Sequence, residues 1–189
     1  ISMAMVASLV SAVISLALAF LGSNTTAPWR PLKKIIRAFA SLQRNIPSMI
    51  WTFLLIMSFG IGTVVGTLAL LITTCGFLIR SFIETIDEVG GESLEALQAV
   101  GAGRLSIITQ VILPASLPGF LSWLLYSLEV NIRSSTLVGA VGGGGIGLIM
   151  MGYIKQFRYH SAMGVILLVA VIVILVDLLT NFLRKKVLA

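Results

Sequence analysis

Several segments of this chain are too apolar, too long and too free of charge to belong to the core of a soluble protein. Residues 3–21 contain no charged side chain, and residues 47–82 contain only Arg80. About 20 consecutive apolar residues form a helix that crosses the hydrocarbon core of a bilayer. Only 11% of all residues are charged and 58% are hydrophobic, against about 25% and 45–50% in soluble domains. The chain is therefore predicted to be an integral membrane protein.

The apolar segments predict five membrane-spanning helices in one all-α domain that covers residues 1–189. Residues 47–82 are too long for one crossing at about 1.5 Å per residue, and the glycines of "FGIGTVVG" (59–66) offer a turn that divides them. The predicted spans are 3–21, 47–60, 64–82, 115–137 and 162–183. Because the first apolar run begins at once from Ile1, we also expect a further helix before it.

The basic residues predict how these helices are oriented. They cluster at 30–44, at Arg80 and Arg104, and at 184–186, and these clusters hold ten of the 13 Lys and Arg. Five alternating helices place all three clusters on one side, which the positive-inside rule makes cytoplasmic. The C-terminus is then cytoplasmic. Residues 30–44 have the spacing of an amphipathic helix, so we expect them to lie at the lipid headgroups as a topological anchor.

A polar insert at residues 84–114 interrupts the apolar pattern on the predicted cytoplasmic side. It holds five of the seven acidic residues, which we expect to lie in water. A short helix is predicted to start at Ser93 or at the two glycines before it, Gly90 and Gly91. It is predicted to end at Gly101, because glycine ends a helix without strain. A second helix follows from Arg104, and Pro114 suits the first turn of the next span. A protruding pair of short helices is typical of a docking element.

The insert resembles the "EAA" loop of ABC importer permeases: Glu-Ala-Ala, three residues, Gly, nine residues, Ile, any residue, Leu-Pro. The matching positions are Glu95, Ala96, Gly101, Leu113 and Pro114. Leu97 and Val111 depart mildly, since both stay small or apolar. The resemblance implies a type I importer fold in which this loop is a coupling helix seated in a cleft of a separate ATPase.

The resemblance also implies the partners of the chain. They are a second permease subunit, expected to be a copy of this chain, two cytoplasmic ATPase subunits and an external substrate-binding protein. The expected location is the cytoplasmic membrane of a prokaryote, with no role for nucleic acid. ATP and Mg would be bound by the ATPase, because "GGGGIG" (142–147) lacks the Lys-Ser/Thr of a phosphate-binding loop. We expect no cofactor in this chain.

A second polar group lies inside the fourth predicted span. Ionisable residues in a membrane are unfavourable and face a partner or a cavity, and Glu129 and Arg133 have the i, i+4 spacing of an ion pair. They form either an internal pair that stabilises the bundle, a contact with an anionic solute, or part of a subunit interface. The glycine run that follows predicts irregular backbone and a gate. The candidate gate or path residues are Glu129, Asn131, Arg133, Gly142, Gly143, Gly144 and Gly145.

"YSLEVNIRSSTLVGAVGGGGIG" (126–147) and "RNIPSMIW" (44–51) resemble the permeases of phosphonate importers. That resemblance implies import of phosphonate, phosphite or hypophosphite delivered by the binding protein. A methionine-type ABC permease is the alternative, followed by an ATPase-independent secondary transporter or channel. A membrane enzyme is disfavoured, because His160 is the one histidine and has no acidic residue near it in sequence. No catalytic and no metal site is predicted.

Overall fold

The computed structural model describes residues 1–27, 29–99 and 103–188, and every regular element within these ranges is helical. The α-helices are α1 (Ser2–Gly22), α2 (Arg30–Asn45), α3 (Ser48–Phe59), α4 (Thr63–Ala99), α5 (Arg104–Ile107), α6 (Leu113–Val138), α7 (Gly145–Lys155) and α8 (Tyr159–Leu188). Two π-helical segments, Ile108–Ile112 and Gly139–Gly143, flank α6.

Four helical segments are long and apolar enough to cross a membrane. They are Ser2–Gly22, Thr63–Gly91, Ile108–Gly143 and Tyr159–Lys186. Each contains or nearly contains one of the predicted spans, so the first, third, fourth and fifth predicted crossings are confirmed as helices of sufficient length.

The second predicted crossing has a different construction. α3 has 12 residues, about 18 Å of helix, which is too short for a hydrocarbon core of about 30 Å. Two residues separate the end of α2 from the start of α3, and the last turns of α2 lie against Gly76 of α4. A Cβ atom on Gly76 would be 2.9 Å from the backbone N of Arg44. Ile46 is extended, as the residue before a proline tends to be, and it separates the two helices at Pro47.

The basic segment is therefore a helix, as predicted, and one face of it packs against the bundle; its position at the headgroups stays a prediction. Ile36, Ala40 and Gln43 are buried on the face of α2 that contacts the bundle. The absence of a side chain at Gly76 allows this close approach, since a Cβ there would come within 2.7 Å of the Gln43 Cβ. A pattern that is amphipathic in sequence fits a helix at a bilayer surface and a helix against a bundle equally well.

α4 does not end near residue 82, and no separate helix begins at Ser93. It continues without a break to Ala99, through the two glycines that suggested a new start. Ile83 and Ile86 are fully buried, so this part of α4 still packs in the bundle. Gly90 meets Thr25, whose Cγ2 would be 2.9 Å from a Cβ at residue 90. Gly90 thus permits a helix contact rather than ending the helix. The predicted cap at Gly101 lies outside the described residues.

The centre of the bundle is formed by α1, α4 and α6. α1 presents a stripe of small buried residues to α4, which lets the two backbones come close, as is common between membrane helices. Ser11 Oγ donates to the Leu71 carbonyl at 3.1 Å and Ser15 Oγ to the Cys75 carbonyl at 3.3 Å. Nearer the insert, Phe82 of α4 packs on Phe120 of α6 with ring centroids 4.8 Å apart.

Candidate functional site

The glycine run forms a tight turn between α6 and α7. Gly142 has φ 114° and Gly144 has φ 79°, backbone angles that favour glycine. The turn packs against the start of α4: Gly62 N–H donates to the Gly142 carbonyl at 3.1 Å, and a Cβ on Gly144 would lie 2.8 Å from Thr63 N. The irregular backbone expected here is present. The proposed role of this turn as a gate stays a prediction.

Asn131 joins the three central helices. Its side chain is buried, it accepts a hydrogen bond from Thr74 Oγ1 at 2.9 Å, and its Nδ2 donates to Ser8 Oγ at 2.8 Å. Because the amide of Asn131 is hydrogen-bonded to one residue of α1 and one of α4, it has a structural role in the bundle. Asn131 also lines a cavity described below, so it remains a candidate for the transport path.

Glu129 forms the ion pair with Arg133 that its spacing suggested, and a second arginine approaches it. Glu129 is 7% exposed, whereas the side chain of Arg133 is 52% exposed. Arg184 Nη2 of α8 lies 3.9 Å from Glu129 Oε2, and Arg184 Nε and Nη2 are buried without a hydrogen-bond partner. Arg184 was counted with the cytoplasmic charges, but its side chain points into the bundle. The buried carboxylate of Glu129 thus provides a negative counter-charge to two basic side chains, Arg133 and Arg184.

A cavity of about 230 Å³ lies where α2, α3, α4 and α6 meet. Its polar lining comes from Arg44, Ser48, Thr73, Thr74, Ser127, Asn131 and Ser134, with Tyr126 at one side. No acidic residue is among those that line it in the described part of the chain. The sequence interpretation assigned Arg44 to the headgroup anchor and so missed this cavity. The available signal was Pro47, which follows Arg44 by three residues and opens an apolar segment.

Asp87 is a second functional candidate that sequence reasoning missed, because the acids of the insert were expected in water. Its carboxylate accepts hydrogen bonds from Ser23 Oγ, from Asn24 N and from Asn24 Nδ2, all at 2.6 Å, and from Arg37 Nη2 at 2.7 Å. Arg37 Nε also donates to the Gly22 carbonyl at 3.0 Å. Asp87 therefore fastens the end of α1 and the first half of α2 to α4.

The predicted coupling residues lie at the two ends of the insert. Glu95 and Ala96 belong to the last turns of α4, whereas Gly101 lies outside the described residues. Leu113 starts α6 and packs against the core, and Pro114 follows in the first turn. Their role in coupling stays a prediction.

A helical bundle with four helices long and apolar enough to cross a membrane, a cavity lined partly by polar residues and one long helix that leads into the insert is typical of the membrane component of a transport system. The chain belongs to the family of binding-protein-dependent transport system inner membrane components, whose family model matches residues 12–188. The importer-permease family expected from residues 95–114 is thereby confirmed.

Named relatives from bacteria cover nearly all of the chain. It is 31% identical over 184 residues to the phosphite transport system permease protein PtxC of Stutzerimonas stutzeri, covering 97% of this chain and 67% of that protein. It is 34% identical over 162 residues to the putative phosphite transport system permease protein HtxE of the same organism, covering 86% and 62%. The methionine import system permease protein MetP of Bacillus subtilis is more distant, with 28% identity over 170 residues, covering 83% of this chain and 76% of MetP. The chain thus spans about two thirds of the length of the phosphite relatives.

Solved structures confirm the fold class. A chain of the inward-facing MetNI methionine ABC transporter matches with a TM-score of 0.79 and 26% identity, covering 98% of this chain and 91% of that chain. A crystal structure of an amino acid ABC transporter with histidines matches with a TM-score of 0.81 at 17% identity, covering 98% and 89%, and shows the fold alone. The all-α importer permease fold predicted from the sequence is therefore correct.

Proposed function

We propose that this chain is the membrane subunit of an ATP-driven importer for phosphite, phosphonate or a related phosphorus oxyanion. The observation that carries the proposal is the similarity to two phosphite permeases over 86% or more of the chain. The solute would be delivered by an external binding protein. The chain itself would supply the path through the membrane and no catalytic group.

The proposed complex contains two permease subunits, expected to be copies of this chain, and two cytoplasmic ATPase subunits that bind ATP and Mg. The insert at 84–114 would be the contact with the ATPase, which requires a cytoplasmic C-terminus if five crossings alternate. The continuity of α4 supports this arrangement. The last turns before the loop belong to the same helix as Thr63, against which the glycine turn packs, so displacement of the loop would reach that turn through one continuous helix.

The decisive experiment is purification of the chain with its native partners, followed by reconstitution in liposomes. We expect an ATPase subunit to co-purify, and we expect phosphite uptake to require ATP and the binding protein. Phosphite uptake driven by an ion gradient without an ATPase would instead support a secondary transporter. Methionine uptake with no uptake of phosphite or phosphonate would favour the methionine-type alternative.

Coupling is tested separately with Gly101→Val and, as a matched control, Gly103→Ala. Valine removes the residue best suited to end the helix before the loop, so the variant complex is expected to assemble but to lose substrate-stimulated ATP hydrolysis. Gly103 has open space where a Cβ would be added, so its alanine variant is expected to behave as wild type. Normal stimulation in Gly101→Val would contradict the coupling assignment.

A further inference from the structure

We propose that the cavity beside Arg44 is a binding site for the translocated phosphorus oxyanion within the membrane subunit itself. The inference rests on the proposed function and deepens it, because it places a specific anion site on the transport path. Arg44, Ser48, Ser134 and Asn131 would hold the anion. None of these residues except Asn131 was singled out as part of the path from sequence.

The first argument is depth. Gly76, which touches the backbone of Arg44, lies 13 residues from one end and 15 from the other end of the apolar span Thr63–Gly91. Arg37, seven residues earlier on the same helix, marks the cytoplasmic end of the bundle through its ion pair with Asp87 at 2.7 Å. Arg44 is therefore about 10 Å along α2 from that pair, beside the middle of the apolar span of α4.

The second argument is the missing counter-charge. Within the described part of the chain Arg44 takes part in no ion pair and no hydrogen bond through its side chain. It is nevertheless exposed in the isolated chain and lines the cavity. An arginine at this depth is strongly unfavourable against lipid, and such residues face a water-filled cavity or a partner charge. Since the lining of the cavity is free of acidic residues, the charge that balances Arg44 comes from something that enters.

The third argument is the supply of hydrogen-bond donors around the guanidinium. The hydroxyls of Ser48 and Ser134 line the cavity and have no hydrogen-bond partner among the residues that the structure describes. Asn131 uses one N–H on Ser8 and retains a second. A guanidinium presents parallel N–H groups that match two oxygens of a phosphorus oxyanion, and the hydroxyls would serve the remaining oxygens.

The size of the cavity suits a small solute. Its volume of about 230 Å³ far exceeds the roughly 30 Å³ that one water molecule occupies in the liquid. A tetrahedral oxyanion and several waters therefore fit together. Partial hydration favours transport, because an ion in a conducting path must bind weakly enough to leave.

The test uses the complete complex in liposomes, with phosphite as the solute. Arg44→Gln removes the charge and is expected to lower kcat/KM for uptake at least about tenfold, as expected for loss of a charge-assisted contact. Arg44→Lys keeps the charge but loses the fork, so an intermediate loss is expected. Assembly of the complex is measured for both variants. The matched control is Arg30→Gln, which removes the same charge from the other end of α2 and is expected to leave uptake unchanged.

Wild-type uptake in Arg44→Gln, or an equal loss in Arg30→Gln, would overturn the anion site while leaving the proposed function intact. If Arg44→Gln fails to assemble, Ser48→Ala and Ser134→Ala decide the question. A several-fold loss of uptake in each of these two variants, with normal assembly, would support the anion site. Normal uptake in them would overturn the anion site and indicate that Arg44 forms an ion pair between subunits. Absence of any oxyanion uptake by the wild-type complex is a different result, because it contradicts the proposed function itself.

A phosphate-bearing lipid headgroup has the same chemistry as the solute. The uptake measurements are therefore repeated in liposomes of phosphatidylcholine alone and with phosphatidylglycerol added. An equal Arg44→Gln defect in both supports a site for the transported anion. A defect confined to liposomes with anionic lipid would overturn the proposal and assign Arg44 to a lipid site.

Discussion

Asp87 holds together three helices at the end of the bundle from which the loop extends. A carboxylate offers about four acceptor positions, and the four hydrogen bonds to Asp87 occupy them all. Its side chain is 20% exposed and that of Arg37 is 29% exposed, so the ion pair is shielded more than an ordinary surface pair. Neutralising Asp87 leaves Arg37 and Asn24 with weaker partners in a partly buried place.

We therefore expect Asp87→Asn to lower the free energy of unfolding by about 2 kcal/mol. The matched control is Glu84→Gln, which breaks the exposed pair with Arg80 on the same helix. An exposed pair contributes about 0–1 kcal/mol. Unfolding of the purified protein in detergent, followed by circular dichroism, measures both. Equal effects of the two substitutions would show that the contacts of Asp87 add no stability beyond those of a surface pair.

Glu129 and Arg133 are unequal partners, although their spacing in the sequence suggested a simple pair. Glu129 is buried and faces two arginines, whereas half of the Arg133 side chain is exposed. Exchange of the two charges would place an arginine beside Arg184. A failed exchange would then report repulsion from Arg184, so the exchange cannot distinguish a structural pair from a solute contact.

Single neutral substitutions make the distinction. Glu129→Gln leaves Arg184 and the half-exposed Arg133 without their counter-charge. Loss of one partner of a fully buried pair is destabilising by about 3–5 kcal/mol, and the exposure of Arg133 places the expected loss below that range. Arg133→Gln leaves Arg184 to accompany Glu129 and is expected to be milder. The yield of folded protein and its thermal midpoint in detergent measure both. A larger loss in Arg133→Gln would argue against Glu129 as the centre of this group.

At the scale of the elements, the glycine turn and α4 depend on each other. The positive φ angle of Gly144 and its contact with Thr63 both exclude a side chain. In contrast, Gly152 lies in the interior of α7 with open space where a Cβ would be added. Gly144 and Gly152 are close in sequence, but a side chain is excluded at Gly144 and has room at Gly152.

Gly144→Ala is expected to destabilise the protein by about 1–3 kcal/mol from the backbone angles alone, with a further loss from overlap with Thr63. Uptake is expected to fall in parallel because the turn is displaced. Gly152→Ala is expected to leave stability unchanged or raise it slightly, since alanine favours helix. Thermal unfolding and phosphite uptake provide the measurements. A Gly144→Ala protein with wild-type values in both would contradict a tightly packed turn.

The elements that the sequence predicted well are those defined by local composition. Long apolar runs identified α1, α4, the helix around α6 and α8, and the loop motif identified the family. The end of α4 was misplaced because Gly90 has two possible explanations, a helix start or a close contact with another residue. Only the position of Thr25 in space distinguishes these explanations. The cavity was missed for the same reason, because Arg44 and Ser134 are 90 residues apart in the chain.

At the scale of the whole molecule, the orientation of the chain in the membrane is testable with single cysteines. Lys34 and Gln156 are both exposed, and the native Cys75 is buried at 6% exposure, so background labelling is expected to be low. In intact cells a membrane-impermeant maleimide is expected to label Gln156→Cys and to spare Lys34→Cys. Inverted vesicles are expected to show the opposite pattern. Labelling of both positions from one face would contradict five alternating crossings.

The unbroken course of α4 has a mechanical consequence. If the crossing with α2 at Gly76 acts as a fulcrum, the helix is a lever with arms of about 35 Å towards Ala99 and about 20 Å towards Thr63. A sideways displacement of Ala99 would then move Thr63 in the opposite direction, by a little more than half the distance. Thr73 and Thr74, next to the fulcrum, hardly move. One stroke would thus shift the glycine turn that rests on Thr63 while the cavity beside Arg44 keeps its shape.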